Sequence, residues 1–267
     1  MSVFSSSLLR SSVASRLRAA GCVFAEDEAR ILLAAAATPA ELAAMVRSRA
    51  VGRPLEHVVG WAEFAGLRIA VDPGVFVPRR RSEFLVRTAA GLTPGLTPGG
   101  ALVVDLCCGS GALAAALAAQ VGHPVEVYAS DVDAAAVDCA RRNLAGIGGR
   151  VLRSDLFAEL PAELRGRVHV LLANVPYVPT ADIALLPAEA RLHEALPALD
   201  GGADGLDVLR RVAGEAPQWL APGGSLLFET SERQAPEALA VVAAAGLDAA
   251  LSSCEDLDAT VVTATLR

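Results

Sequence analysis

The run Asn174-Val175-Pro176-Tyr177 places a side-chain amide, a peptide carbonyl and a flat aromatic face within four residues. A residue before proline is biased toward extended backbone, and proline has a fixed φ and no N–H to donate. The run therefore presents the Asn174 side-chain oxygen and a neighbouring main-chain carbonyl as preset acceptors. Two such acceptors can grip both hydrogens of a planar NH₂ group, with Tyr177 stacked on its plane. An amide or exocyclic amine nitrogen is a poor nucleophile, because its lone pair is delocalised. Acceptors that favour a pyramidal nitrogen would aim that lone pair at an electrophile. This is transition-state binding and orientation, and it needs no strong base. Asn-x-Pro is also an ordinary turn signal, and a turn with a packed Tyr reads the same way.

A second set of residues could hold a nucleoside. Asp105-Leu106-Cys107-Cys108-Gly109-Ser110-Gly111-Ala112 joins an apolar run to a helical one. Glycines there allow close backbone approach and leave helix N-terminal N–H groups for a ligand. Asp131 ends the next apolar run, where a carboxylate can accept from both ribose hydroxyls. Ser154-Asp155-Leu156-Phe157 ends the third; Asp155 can accept from an adenine amino group while Leu156 packs on the ring. The plainer readings are a steric glycine turn, a helix cap and a turn acid, although Asp133 suits the cap before Ala134 better than Asp131 does. Turns alone explain poorly an acid at three successive run-ends. Gly109 and Gly111 followed by Leu113 and Ala114 depart from the G-x-G-x-x-G of dinucleotide sites. The candidate cofactor-binding residues are Asp105, Cys107, Cys108, Gly109, Ser110, Gly111, Asp131, Asp155, Leu156 and Asn174. The candidate catalytic residues are Asn174, Val175, Pro176 and Tyr177.

The chain that must position them has 267 residues, of which 53% are hydrophobic, and a formal net charge of −7. That is enough for a full core and excludes disorder. All 23 basic residues are Arg, which excludes Schiff-base and phosphate-loop lysines. Asn143 and Asn174 are the two Asn, Tyr128 and Tyr177 the two Tyr, a scarcity consistent with GC-rich coding bias. Asn143 falls on an expected helix, with no role assigned. The acidic balance argues against nucleic acid as a direct substrate. Arg79-Arg80-Arg81 is a local basic cluster, either a solvated segment or a surface for an acidic or RNA-like partner. Cys22, Cys107, Cys108, Cys139 and Cys254 show neither zinc nor redox spacing, so reduced cytoplasmic thiols and no metal site are expected. No apolar run is long enough for a membrane span. Residues 1–24 lack acids and are Ser- and Arg-rich, like an organellar transit peptide. Leu9, Val13, Leu17 and Ala20 at helical spacing favour an ordinary amphipathic helix.

Residues 8–50 read as helices, the third opened by the capping box Thr38-Pro39-Ala40-Glu41. Residues 67–71 alternate, Asp72-Pro73-Gly74 turns, and 75–77 extend, which reads as a hairpin or two short strands. A helix is expected from Pro78 to about Ala90, then a Gly/Pro/Thr-rich loop over 91–100. Strands are expected at 101–106, 125–130, 150–153, 168–173, 225–229, 247–253 and 260–266, and helices at 113–120, 134–144, 206–220 and 235–245. Such alternation indicates an α/β fold, a mostly parallel sheet covered on both faces. The last two strands lack an intervening helix, so one of them runs antiparallel.

The ordered motifs resemble the HemK-type protein N5-glutamine methyltransferases. The likeness runs from about Leu17 onward, through Pro54-Leu55-Glu56-His57, Gly60-x-x-Glu63-Phe64-x-Gly66 and Phe76-x-Pro78-Arg79 with Ser82-Glu83. It continues through the 105–111 loop, Asp131, Ser154-Asp155-x-Phe157 and Asn174-x-Pro176-Tyr177. Ala198-Leu199-Asp200-Gly201-Gly202-x-Asp204-Gly205-Leu206-Asp207, Phe228-Glu229 and Gln234 complete it. The resemblance implies a helical domain over 1–56, a β-hairpin linker over 57–77 and a seven-stranded class I methyltransferase domain over 78–267. It implies S-adenosylmethionine (SAM) as cofactor and the Gly-Gly-Gln glutamine of class 1 peptide chain release factors as substrate. In that scheme the 107–111 loop meets the methionine end, Asp131 the ribose, and Asp155 with Leu156 the adenine. Asn174 and the Val175 carbonyl hold the substrate NH₂, with Tyr177 against the amide plane. The chain departs from the family at Val175, which usually is Pro, and at Cys107, which usually is Gly. These departures mark a divergent paralogue. An N6-adenine nucleic-acid methyltransferase and a SAM-binding pseudo-enzyme stay open at this point.

Overall fold

The computed structural model describes residues 3–93 and 100–267, with side chains from residue 7 onward. Most of the loop expected over 91–100 lies outside the described residues.

The chain begins with helices α1 (Val3–Ala19), α2 (Ala25–Ala35), α3 (Pro39–Ala50) and α4 (Leu55–Val59). Val13, Leu17, Leu32, Leu42 and Val46 form their common core. The expected cap opens α3: Thr38 Oγ1 accepts from the Glu41 N–H at 3.1 Å, and Glu41 Oε2 reaches back to the Ala37 N–H at 2.7 Å. Arg49 is buried in a two-pronged pair with Glu28, at 2.6 and 3.0 Å, and also holds Glu189 at 2.7 Å. That second contact joins the helices to the rest of the molecule.

The hairpin is β1 (Trp61–Phe64) paired antiparallel with β2 (Leu67–Ala70), and its turn is Ala65-Gly66. Both turn residues have positive φ, 51° and 78°, the geometry that matches the twist of a two-residue hairpin. Asp72-Pro73-Gly74 does turn, with the Val75 N–H bonded to the Asp72 carbonyl at 3.1 Å. Residues 75–79 then extend but do not pair with β2, contrary to the sequence expectation. Gly74 instead bridges Glu194. The helix expected from Pro78 starts later. Arg79 is extended, a 3-10 turn covers Arg80–Ser82, and α5 runs Glu83–Gly91.

The sheet then unfolds as β3 (Ala101–Leu106), α6 (Ala112–Gln120), β4 (Val125–Asp131), α7 (Ala134–Leu144) and β5 (Arg150–Arg153). It continues with β6 (Val168–Ala173), a short α8 (Ala188–His193), α9 (Asp207–Trp219), β7 (Leu220–Thr230), α10 (Ala235–Ala244), β8 (Asp248–Cys254) and β9 (Ala259–Thr265). The order is β5-β4-β3-β6-β7-β9-β8, with β9 antiparallel to both neighbours. This is the expected seven-stranded, mostly parallel class I sheet. All six residues of β3 are buried. Val103 faces a core shared with α5, α6 and α7, whereas Leu102, Val104 and Leu106 face one shared with α9 and α10. The chain winds outward from β3 to β5, then returns to β6 on the other side of β3. Ligands of open α/β sheets bind at such a switch point, at the strands' C-terminal ends.

Candidate active site

A cleft of about 1150 Å³ opens at that switch point. It collects Cys107, Cys108, Gly109 and Ser110 after β3, Asp131 at the end of β4, Asp155 and Leu156 after β5, and all of 174–177 after β6. Two candidates lie off its wall. Gly111, at φ 76°, has a packing reason to be glycine: a Cβ there would lie 3.2 Å from Ala140 and Leu144 of α7. Asp105 is fully buried in β3. Its Oδ2 accepts from the Ala114 N–H at 3.3 Å, and its Oδ1 has no partner among the described residues. Burial raises the Asp105 pKa to about 7, with the Ala114 N–H opposing and Asp131 adding to the rise.

The acids at the end of β4 are fixed by backbone, and Asp155 by a side chain. Asp131 Oδ2 accepts from the Gly109 N–H and Oδ1 from the Asp133 N–H, both at 2.9 Å, so it binds the β3 loop to the β4 loop. Its pKa is raised, chiefly by burial. Asp133 caps α7 as expected, accepting from the Ala135 N–H at 2.9 Å. Asp155 pairs with Arg211 at 2.8 Å. Leu156 is buried at φ 52°, and its carbonyl accepts the hydroxyls of Ser130 and Ser154 at 3.0 and 2.9 Å, which stabilises this otherwise unfavourable conformation. Cys107 also sits in the left-handed region, at φ 53°.

The Asn174 side chain and the Val175 main chain form no hydrogen bond among the described residues, while the rest of the loop is held tightly. Gln234 Nε2 donates to the Tyr177 and Asp204 carbonyls at 2.9 and 3.0 Å, and the Gly201 N–H donates to the Val178 carbonyl at 2.8 Å. A Cβ at Gly201 would lie 2.7 Å from the Pro176 carbonyl, and one at Gly205 would collide with the Tyr177 carbonyl. The Asp200–Gly205 segment is thus the back support of the 174–177 loop.

Two arginines of the basic cluster, Arg79 and Arg81, are paired within the molecule, while Arg80 is exposed. Arg79 forks onto both oxygens of Glu194 at 2.6 Å, and Glu194 also accepts from the Val77 N–H at 3.2 Å. Arg81 holds Glu229 at 2.6 Å and donates to the Tyr177 hydroxyl, while Ser82 Oγ donates to Glu229 at 2.6 Å. Sequence reasoning gave Ser82, Glu194 and Glu229 no role. A glutamate closing the apolar run of β7 was the one local signal; Glu194 offered none.

A family model described as "Methyltransferase small domain" matches residues 67–203. Over 213 residues the chain is 38% identical to a release factor glutamine methyltransferase of Geobacter sulfurreducens, covering 78% of this chain and 72% of that one. The chain belongs to the release factor glutamine methyltransferase family. It is a SAM-dependent methyltransferase. It is also 37% identical, over 204 residues, to a 4-amino-L-phenylalanine/4-methylamino-L-phenylalanine methyltransferase of Streptomyces pristinaespiralis, covering 75% of this chain and 69% of that one. A methyltransferase structure from Pyrococcus furiosus shares the fold, with a TM-score of 0.53 at 17% identity over 75% of this chain and 88% of that one.

The family's cofactor is a nucleoside that carries a sulfonium, an ammonium and a carboxylate group, and the charge of the site fits its two cationic groups. Among the described residues, nine carboxylates and three guanidinium groups line the cleft, and the orphan Asp105 oxygen lies beneath its loop. Gly109, at φ 54°, leaves the backbone open: a Cβ there would meet nothing nearer than Phe76 at 4.0 Å.

Proposed function

We propose that this methyltransferase acts, in the cytoplasm, on the side-chain amide nitrogen of a glutamine in a class 1 peptide chain release factor. The observation that carries this reading is the unclaimed pair of acceptors after β6, the Asn174 side-chain oxygen and the Val175 carbonyl, on a loop otherwise bonded at every side.

The cofactor would lie with its methionine end on the 107–111 loop, its ribose at Asp131 and its adenine between Asp155 and Leu156. When bound, it supplies an electrophilic methyl carbon. The protein's part is the grip. Asn174 Oδ1 and the Val175 carbonyl accept both N–H bonds of the substrate amide, and Tyr177 lies against the amide plane. This arrangement favours the pyramidal nitrogen of the transition state over the planar ground state. Pro176 fixes φ behind the carbonyl, and Gly201, Gly205 and Gln234 keep the loop from yielding. Glu229 is committed to Arg81 and Ser82, so the loop works by orientation and the amide proton passes to water.

The charge of the cleft bears on the substrate. Arg79, Arg81 and Arg211 each already hold a carboxylate. No unclaimed cation among the described cleft residues faces the successive charges of a phosphate backbone, whereas a single carboxylate, the cofactor's own included, can be met by backbone N–H groups. This supports a polypeptide substrate over the nucleic-acid reading.

Methyl-labelled SAM with recombinant release factor, followed by peptide mapping, should place the label on one glutamine side chain. Label on an adenine-containing oligonucleotide or on 4-amino-L-phenylalanine, and on no protein, would overturn the reading.

A further inference from the structure

We infer that Asn143 is a positioning residue of the cofactor site, whose side-chain amide ties the β-hairpin to the 107–111 loop and makes the shape of that loop depend on hairpin docking. This rests on the reading of that loop as part of the cofactor site.

Asn143 lies in the last turn of α7, between the two parts it joins. Its Oδ1 accepts from the Ala70 N–H at 2.9 Å, and its Nδ2 donates to the Ala70 carbonyl at 2.9 Å. The amide thus addresses both polar groups of one β2 residue, as a neighbouring strand would. The other Nδ2 hydrogen goes to the Ser110 carbonyl at 2.8 Å. These partners also fix the orientation of the amide, because a flipped Asn143 would set its NH₂ against an N–H and its oxygen against two carbonyls.

The Ser110 contact matters because of what else holds the same peptide. The Gly111 N–H donates to the Cys108 carbonyl at 2.7 Å. The Ser110–Gly111 peptide plane is therefore pinned at its oxygen by Asn143 and at its nitrogen by Cys108. Two further bonds hold the loop to β4: the Cys108 N–H to the Ser130 carbonyl at 3.0 Å, and the Gly109 N–H to Asp131. Asn143 supplies the one side-chain tether from the α7 and hairpin side to this loop among the described residues. The neighbouring Arg142–Asp72 pair, at 2.5 Å, also joins α7 to the chain after β2, but it is solvent-exposed and does not touch the loop.

Asn143→Asp keeps the acceptor for the Ala70 N–H and loses both donated bonds. SAM dissociation constant and KM should rise about tenfold, while kcat at saturating SAM stays within about threefold. Arg142→Ala, which loosens the same junction away from the loop, should leave SAM affinity within about twofold. In the unaltered protein SAM should slow amide exchange at Ala70, because a ligand that orders the loop must stabilise what orders it. Asp131→Ala separates the two levels of the argument. If it leaves SAM affinity unchanged, the reading of the loop fails. If it weakens SAM while Asn143→Asp only lowers the melting temperature, or if Ala70 exchange ignores SAM, the role of Asn143 is overturned.

Discussion

Tyr177 and Glu229 meet where β6 and β7 end side by side, the phenol oxygen 3.4 Å from a carboxylate that also accepts from Arg81 and Ser82. Burial and the facing Glu229 carboxylate raise the Tyr177 pKa to about 12, so the phenol stays neutral and acts as a donor. Arg81 donates to the same hydroxyl, which leaves the ring little freedom. Glu229→Gln removes the charge that these partners share. The expected result is a fall in kcat of about tenfold, the scale of a lost charge-assisted hydrogen bond, with SAM affinity unchanged. Steady-state kinetics with a calorimetric titration checks it; SAM affinity falling in step with the rate would assign Glu229 to the cofactor instead.

Asn174→Ala should lower the transfer rate by about 100-fold or more, the usual consequence of removing one preorganised polar contact to a transition state. SAM binding should survive, because the cofactor's proposed contacts come from the ends of β3, β4 and β5. Single-turnover transfer and SAM titration on the same preparation test this. A variant with ordinary turnover would remove Asn174 from the grip.

Val175 tests whether the loop needs only its carbonyl. Its side chain is buried in the core, and its N–H donates no hydrogen bond among the described residues, so proline would remove none. Val175→Pro should keep kcat within about threefold and narrow the backbone freedom of the unfolded chain. An inactive variant with an unchanged melting profile would show that residue 175 contributes more than its carbonyl.

The strands and helices after residue 100 were legible because their signals are local. β-branched runs end at glycines or acids, and helical runs begin at caps such as Asp133. The hairpin turn was misplaced for a local reason too. Ala65 carries no glycine-like mark, yet it adopts φ 51°, and its N–H is held by Glu83 Oε1 at 3.0 Å. The start of α5 shifted because Arg79 is held extended by Glu194, more than a hundred residues downstream. No periodicity announces that pair, nor Arg81 with Glu229, nor Asn143 with Ser110. The candidate site residues were visible as strand-end motifs, whereas the side chains that brace them come from distant segments and emerge only when the sheet is assembled.

Asp105 should give SAM binding a pH dependence of definite sign. The unfolded chain releases this proton near pH 4, whereas the folded chain holds it up to about pH 7. Between those values the folded state binds more protons, so this residue makes stability fall as pH rises through the window and level off above it. A cationic ligand beside the loop favours the ionised carboxylate. SAM affinity should therefore move the other way, tightening from about pH 6 to about pH 7.5. Asp105→Asn removes the titrating group and should flatten both trends. Thermal melts of the ligand-free protein and calorimetric titrations at the two pH values provide the measurement. Equal affinity of the unaltered protein at both values would mean that the unpartnered Asp105 oxygen does not sense the cofactor's charge.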